Sequence, residues 1–164
     1  MIYCISDIHG EYDLFLSLLD EIKFCGQDKL IVLGDIIDKG ADSVKLLNLI
    51  RSLNNAECIM GNHEYAFLQY YRSLMKDSPQ DFDAVLDKLQ KYFTGDGKLL
   101  SWEAVDWLES LAYYTEYPDF ICVHSGVRID GQGNIMPLDK TPMEYFLYDR
   151  KFKEPGVLPG GGKC

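Results

Sequence analysis

The segment KLIVLGDIIDKG (residues 29–40) places two aspartates, Asp35 and Asp38, directly after an apolar run and between glycines. The run KLIVL is typical of a buried strand, and a buried strand has no use for a charge at its tip. A metal ion, in contrast, needs oxygen ligands on a rigid support. The segment therefore favours a strand that ends in a metal site, provided that other strands end in similar side chains.

Two more apolar runs, IYCIS (2–6) and AECIM (56–60), predict strands that alternate with helices along the first half of the chain. Helices are expected before Gly26, at about 42–53 and from about 63. The first of these helices is predicted to bury Leu14, Leu18, Leu19 and Ile22. Strands that alternate with helices favour a parallel α/β sheet, whose ligands gather at the carboxyl ends of the strands.

The second half of the chain predicts helices followed by a strand pair. Residues 64–111 read as helical, with Ser101 as an N-cap and the tryptophans of SWEAVDWLESL (101–111) in the core. The runs YYTEY and DFICVH predict two antiparallel strands between residues 113 and 124. The segment TPME (141–144) predicts a capping box at the start of a further helix.

Residues of the types that bind metal ions follow four of the predicted strands, and they include all three histidines of the chain. A lone histidine in such a place is more often a hydrogen-bonded structural residue than a ligand. Three histidines that each follow an apolar strand and lie near a glycine favour a shared site instead. The candidate set is Asp7, His9, Asp35, Asp38, Asn62, His63 and His124.

The segments DIHG, GDIIDKG, GNHE and VHSG resemble, in this order, the D-x-H-G, G-D-x-x-D-R-G, G-N-H-E and H-A-G signatures of the calcineurin-like metallophosphoesterases. They are most similar to the serine/threonine phosphoprotein phosphatase branch and its small lambda-phage-type members. The resemblance covers nearly the whole chain, and four ordered motifs are far more specific than one. It implies an α/β fold in which helices flank a β-sandwich.

The resemblance also implies two divalent metal ions. Asp7 and His9 would hold the first ion, Asp35 would bridge the two, and Asn62 and His124 would hold the second. A mixed set of oxygen and nitrogen ligands suits manganese, iron or zinc better than calcium, and manganese is the first expectation. Such a pair of ions lowers the pKa of a water molecule and clamps phosphoryl oxygens.

Family resemblance assigns the other candidates to proton transfer and phosphate binding. His63 would be the general acid, oriented by Asp38, and Lys39, Arg150 and Asn62 would contact the substrate phosphate. Lys39 replaces the usual arginine, so it keeps the charge and loses the bidentate contact. It is nearly as well supported that Arg150 is a solvent-exposed helix residue that does not bind phosphate. Glu64 is equally compatible with supporting the ligands and with being a first-turn acid that favours the helix dipole.

The family pattern places one more metal-binding histidine on a later strand, whereas this sequence ends at Cys164. The sequence therefore predicts a metallophosphoesterase domain at 1–153 that lacks C-terminal strands, followed by a Pro/Gly-rich tail at 154–164. A weak second metal position is expected. An unpaired sheet edge that allows self-association is also expected.

Composition limits the partners of the protein. A net charge of -10 argues against binding to nucleic acid, because phosphate backbones are bound by Lys and Arg. No run approaches the ~20 apolar residues of a membrane span, and the five cysteines lack paired spacing. These features favour a cytoplasmic protein with reduced thiols and no membrane association.

The expected function is that of a metal-dependent phosphomonoesterase with reduced activity, acting on Ser/Thr or Tyr phosphoproteins or on small phosphoesters. One alternative is a symmetrical dinucleoside tetraphosphate hydrolase, which has the same motifs. The other alternative is a weakly active or inactive remnant that binds metal or a phosphorylated partner.

Overall fold

Three parallel strands form the sheet that carries the predicted site. The computed structural model of the chain describes residues 1–77, 82–93 and 100–150. Strands β1 (Ile2–Ile5), β2 (Lys29–Val32) and β3 (Ala56–Cys58) lie in the order β1-β2-β3, and both pairs are parallel. The prediction of a parallel sheet built from strand and helix units is therefore confirmed.

A second, antiparallel sheet consists of β4 (Tyr114–Glu116) and β5 (Ile121–Val123), as predicted. The residue Ala112, just before β4, forms a bridge to Ile59, just after β3, so the chain enters the second sheet beside the first. The helices are α1 (Tyr12–Glu21), α2 (Ser43–Ser52), α3 (Asn62–Asp77), α4 (Phe82–Phe93), α5 (Trp102–Glu109) and α6 (Met143–Tyr148), with a 3-10 turn at Leu138–Lys140. The α/β class with two sheets and flanking helices is confirmed.

The core lies between the parallel sheet and the helices. Ile31 and Val32 of the central strand β2 have no exposed surface, and Val32 packs in one cluster with apolar side chains of α2 and α3. Burying each such side chain contributes about 1.5–3 kcal/mol relative to leaving it exposed. This packing makes β2 a rigid support for the loop that follows it. The buried helical residues include Leu46, Leu47, Ile50, Phe67 and Leu68.

The buried face of α1 was predicted wrongly. Leu14 is 67 % exposed and Leu18 is 38 % exposed, whereas Phe15 is 1 % exposed. The inward stripe follows Phe15 and Leu19, because the large aromatic side chain takes the place against the core. The helix also ends before Gly26, at Glu21, and Lys23 adopts a left-handed conformation (φ 54°) that terminates it.

The core position predicted for the two tryptophans is right for one of them only. Trp107 packs against the core, whereas Trp102 is 56 % exposed, because α5 turns Ala104, Val105 and Leu108 inward. Ser101 does cap α5, since its hydroxyl accepts a hydrogen bond from the backbone of Ala104 at 3.3 Å. The hydroxyl of Thr141 donates to the carbonyl of Pro137, so α6 has no capping box.

The predicted tail at 154–164, the domain end at 153 and the absent C-terminal strands lie outside the described residues. Self-association through a sheet edge stays a prediction. Among the described residues, no helix combines the length and the apolar character needed to span a bilayer.

Candidate metal centre

The loops that follow β1 and β2 run side by side and extend the pairing of the two strands. The backbone amide of His9 donates to the carbonyl of Asp35 at 2.8 Å, and that of Gly10 donates to Ile36 at 2.8 Å. The amide of Gly40 then donates back to the carbonyl of His9 at 2.8 Å. These bonds hold the DIHG and GDIIDKG segments together as one layer.

Glycines allow the third loop to approach the second. A Cβ atom at Gly61 would collide with the backbone and the carboxylate of Asp35, and a Cβ atom at Gly34 would collide with Gly61. Only glycine therefore permits this contact between the GNHE and GDIIDKG segments. The close approach brings the start of α3, and with it Asn62 and His63, next to Asp35.

Five non-glycine residues of the site have the left-handed backbone conformation that L-residues rarely adopt. Conformations of this kind cost about 1–3 kcal/mol each and persist only where surrounding contacts enforce them. Their concentration in two loops marks these loops as a functional region. The residues and φ values are Asp7 (56°), His9 (48°), Asp35 (57°), Asp38 (72°) and Lys39 (69°).

The carboxylate of Asp35 lies at the centre of the site and is 2 % exposed. Its Oδ1 atom accepts a hydrogen bond from the backbone amide of His63 at 3.1 Å. Its Oδ2 atom faces three imidazoles, with the Nε2 atoms of His9, His124 and His63 at 3.6, 3.6 and 3.8 Å. One carboxylate oxygen is thus fixed by the protein while the other points at nitrogen ligands, as a bridging role requires.

Each histidine uses its Nδ1 atom for a partner within the protein. His9 contacts the carbonyl of Ile37 at 3.0 Å, and His124 contacts the carbonyl of Leu33 at 2.6 Å. Such contacts place the proton on Nδ1 and leave Nε2 as a metal ligand. The donor set therefore fits a transition metal, and a group of His9, Asp35 and His63 atoms lies within 4.8 Å.

His63 differs from the other two histidines in its partner. Its Nδ1 atom lies 2.7 Å from a carboxylate oxygen of Asp38, not from a carbonyl. A carboxylate stabilises the protonated imidazole, which a general acid needs. The structure thus brings the predicted pair of His63 and Asp38 together.

The remaining predicted ligands lie on either side of Asp35. The Oδ1 atom of Asn62 is 2.8 Å from Nε2 of His124, so the two proposed ligands of the second metal are adjacent. Asp7 places a carboxylate oxygen 3.9 Å from Nε2 of His9. Burial opposes ionisation of Asp7, but the hydrogen bond from Ser6 and nearby charged groups outweigh it and lower the pKa of this carboxyl.

Glu64, whose role the sequence left open, supports the central loop. Its side chain is fully buried and accepts hydrogen bonds from the backbone amides of Asp35 (2.7 Å), Ile36 (2.8 Å), Ile37 (3.1 Å) and Gly61 (3.1 Å). Burial raises the pKa of this carboxyl, and the amides of Ile37, Asp35 and Ile36 act in the opposite direction. One side chain therefore ties the second and third loops together.

Both predicted phosphate-binding cations line the same cavity as the ligands. This cavity of about 150 Å³ is bounded by Lys39, Arg150, Asp7, Asp35, Asn62, His63 and His124, and also by Ser125 and Leu147. Sequence reasoning missed Ser125 and Leu147, although Ser125 directly follows His124 in the VHSG segment. The Nζ atom of Lys39 lies 2.8 Å from Nε2 of His9.

Residues 1–157 match the family of calcineurin-like phosphoesterases. The chain belongs to this family. The predicted family is thereby confirmed, and with it membership in a group of hydrolases that bind divalent metals.

Curated bacterial relatives of the calcineurin-like chain are described as symmetrical bis(5'-nucleosyl)-tetraphosphatases. The protein from Aggregatibacter actinomycetemcomitans is 31% identical over 132 residues, which are 78% of this chain and 45% of the relative. That from Vibrio vulnificus (strain CMCP6) is 29% identical over 76% of this chain and 44% of the relative. The chain thus spans about half the length of the curated relatives that it matches.

Solved structures share the fold. A putative diadenosine tetraphosphatase superposes with a TM-score of 0.67 and 22% identity, over 87% of this chain and 56% of the other. A protein serine/threonine phosphatase from Saccharomyces cerevisiae superposes with a TM-score of 0.54 and 20% identity, over 88% and 43%. At these identities the similarity shows the fold alone.

The described cysteines of this phosphoesterase are free thiols, as expected. Burial raises the pKa of Cys58 to about 12 and that of Cys122 to about 11, so neither thiol ionises at neutral pH. They pack as small apolar side chains and take no part in the metal centre. Cys164 lies outside the described residues.

Lys39→Arg should strengthen the binding of inorganic phosphate, because a planar guanidinium contacts two oxygens at once. We expect the inhibition constant of phosphate to fall by roughly a factor of 5, which corresponds to about 1 kcal/mol. The measurement is competitive inhibition of p-nitrophenyl phosphate hydrolysis, with Lys39→Gln as the control that should bind phosphate more weakly. An unchanged or higher constant for the arginine variant would show that Lys39 serves His9 and not the substrate.

Proposed function

We propose that this calcineurin-like phosphoesterase is a metal-dependent hydrolase that cleaves dinucleoside tetraphosphates symmetrically. The proposal of hydrolysis rests on one observation. The Oδ2 atom of Asp35 faces three imidazoles, and the cations Lys39 and Arg150 line the same cavity. The choice of substrate is supported by the descriptions of the curated relatives. Phosphoprotein hydrolysis, our first expectation from the motifs, has no comparable support and stays a prediction.

Two divalent metal ions, held by Asp7, His9, Asp35, Asn62 and His124, would activate a water molecule and neutralise charge on the phosphoryl group. Manganese stays our first expectation, with iron or zinc as alternatives.

The protein side chains of the cavity have separate tasks in the proposed reaction. Lys39 and Arg150 bind phosphoryl oxygens and hold the phosphate chain in place. The water releases a proton to the solvent as its oxygen forms a bond to a central phosphorus, and the anhydride bond to the other central phosphate breaks. His63 supplies a proton to the departing oxygen, and Asp38 orients the imidazole for this transfer. The products are two nucleoside diphosphates.

The proposal is tested with three substrates in the presence of Mn²⁺: diadenosine tetraphosphate, p-nitrophenyl phosphate and a phosphopeptide. We expect diadenosine tetraphosphate to have the highest kcat/KM and to give ADP as the sole nucleotide product. AMP with ATP, or a preference for the phosphopeptide, would contradict the proposal. If none of the three were hydrolysed while metal still bound, the chain would be the inactive remnant considered above.

His63→Asn should lower turnover and leave metal content unchanged, because His63 is assigned to proton donation. The loss should be about 100-fold or more for an alkyl phosphate, whose leaving group needs a proton. It should be much smaller for p-nitrophenyl phosphate, which has a good leaving group. The measurement is kcat for both esters together with metal analysis by mass spectrometry. Equal losses for the two esters, or loss of metal, would assign His63 to ligation.

A further inference from the structure

Helix α6 and the two residues after it contribute to two cavities. Its last turn and the residues after it give Leu147 and Arg150 to the catalytic cavity. Other residues of the same segment line a second, more open cavity of about 250 Å³: Glu144, Tyr145, Tyr148 and Asp149. The second cavity therefore begins within one helical turn of residues that bound the metal centre.

Hydrogen bonds fix α6 to the loop that carries His124. The backbone amides of Ser125 and Gly126 donate to the carbonyls of Phe146 and Tyr145 at 2.8 and 3.2 Å. The hydroxyl of Ser125 donates to the carbonyl of Asp149 at 2.5 Å. These contacts place the tyrosines of α6 at a set distance from the metal ligands, so the second cavity is pre-formed.

Tyr148 presents an aromatic ring at the edge of this cavity, and 49 % of the residue is exposed. Burial is the main cause that raises the pKa of its phenol, followed by its interactions with Tyr65 and Asp35. Leu147 and Arg150, which stand next to and two residues after Tyr148 in the chain, line the catalytic cavity, so Tyr148 lies close to the metal centre. A half-exposed aromatic face beside a polar site can stack with a planar ligand group.

A dinucleoside tetraphosphate is much larger than the catalytic cavity of about 150 Å³. When its central phosphates lie against Asp35, Lys39 and Arg150, its nucleosides must lie in neighbouring parts of the surface. The cavity of about 250 Å³ beside α6 is adjacent and large enough for a purine ring. Its carboxylates are suited to accept hydrogen bonds from an amino group of the base.

We propose that the cavity beside α6 binds one nucleobase of the substrate, stacked on Tyr148, with Glu144 accepting a hydrogen bond from the exocyclic amino group. This inference rests on the proposed function, because it requires a nucleotide substrate. It also assigns a source of selectivity, since a phosphate monoester without a base cannot use the cavity.

Tyr148→Ala and Tyr148→Phe test the inference. Stacking of a base on an aromatic ring contributes about 1–3 kcal/mol, which corresponds to about 5- to 150-fold in binding. We therefore expect KM for diadenosine tetraphosphate to rise by this factor in Tyr148→Ala, whereas Tyr148→Phe retains most of the affinity. The effect on p-nitrophenyl phosphate should be much smaller, because this ester has no nucleobase to place in the second cavity. Glu144→Gln is a second variant, at an exposed position, and should show a smaller rise in KM.

Inhibition by ADP and by pyrophosphate separates the base from the phosphates. With p-nitrophenyl phosphate as the reporter substrate, Tyr148→Ala should weaken inhibition by ADP and leave inhibition by pyrophosphate nearly unchanged. Equal inhibition of the wild type and Tyr148→Ala by ADP would overturn the inference. An equal loss of activity on p-nitrophenyl phosphate and on the dinucleotide would also overturn it, because Tyr148 would then serve the folding of α6.

These outcomes are distinct from failure of the proposed function. If the wild type does not cleave diadenosine tetraphosphate, the proposed function is wrong, and the ADP experiment still decides whether the cavity binds a base. If the wild type cleaves the dinucleotide and Tyr148→Ala has the same KM, only the nucleobase cavity is wrong. Tight binding of a basic phosphopeptide that depends on Glu144 would assign the cavity to a peptide instead.

Discussion

Glu64→Ala should lower the free energy of unfolding by about 4 kcal/mol or more. The substitution removes the acceptor of four buried backbone amides, and each buried donor without a partner costs about 1–3 kcal/mol. Partial access of water to the loop would reduce the total cost of the four unpaired amides. We therefore expect a destabilisation at the lower end of that total. The measurement is urea denaturation followed by circular dichroism.

Two further variants make this experiment specific. Glu109→Ala removes an exposed ion pair with Arg72, and such pairs contribute only about 0–1 kcal/mol. Glu64→Gln keeps one acceptor oxygen and should be intermediate in stability. If Glu64→Ala were as stable as Glu109→Ala, Glu64 would be a simple first-turn acid of α3 and not the support of the central loop.

Asp35→Asn should abolish tight metal binding and, with it, turnover. The amide keeps an oxygen for the backbone of His63, so the fold is retained, but the negative charge that faces three imidazoles is lost. Because even the loss of a supporting partner costs 10- to 100-fold in affinity or activity, we expect losses of at least about 100-fold in both. Mn²⁺ affinity is measured by titration calorimetry and turnover with p-nitrophenyl phosphate.

The matched control for Asp35→Asn is Asp13→Asn, which makes the same chemical change on the exposed face of α1. Asp13→Asn should leave the Mn²⁺ dissociation constant unchanged within a factor of two. A similarly small change for Asp35→Asn would show that Asp35 is not a metal ligand, and it would refute the two-metal interpretation.

The position of the site was predictable because it depends on chain topology. Parallel strands place their carboxyl ends at one edge, so side chains that follow three such strands meet whatever the details of packing. Asp35, His9 and His63 are together for this reason. The contact between His124 and Asn62 was implied by the family motifs and follows from the entry of the second sheet beside the first.

Features that depend on packing were less predictable. The helix α1 has leucines on its outer face and Phe15 on its inner face, so hydrophobic periodicity alone could not orient it. Thr141 could have capped α6 or bonded to the preceding turn, and the two alternatives have similar local patterns. The function of Glu64 depends on contacts with residues nearly thirty positions earlier, which no local pattern contains.

The left-handed backbone of the two site loops links metal binding to folding. Residues such as Asp7, His9 and Asp35 hold this unfavourable conformation only while the strands beneath them are intact. A short peptide with the sequence GDIIDKG would relax to other conformations and would present its carboxylates separately, so it should not capture a metal ion. A bound metal would then act as a ligand of the native state, and the melting temperature of the protein should rise with metal concentration. Thermal denaturation could therefore rank candidate metals for this chain before its physiological substrate is known.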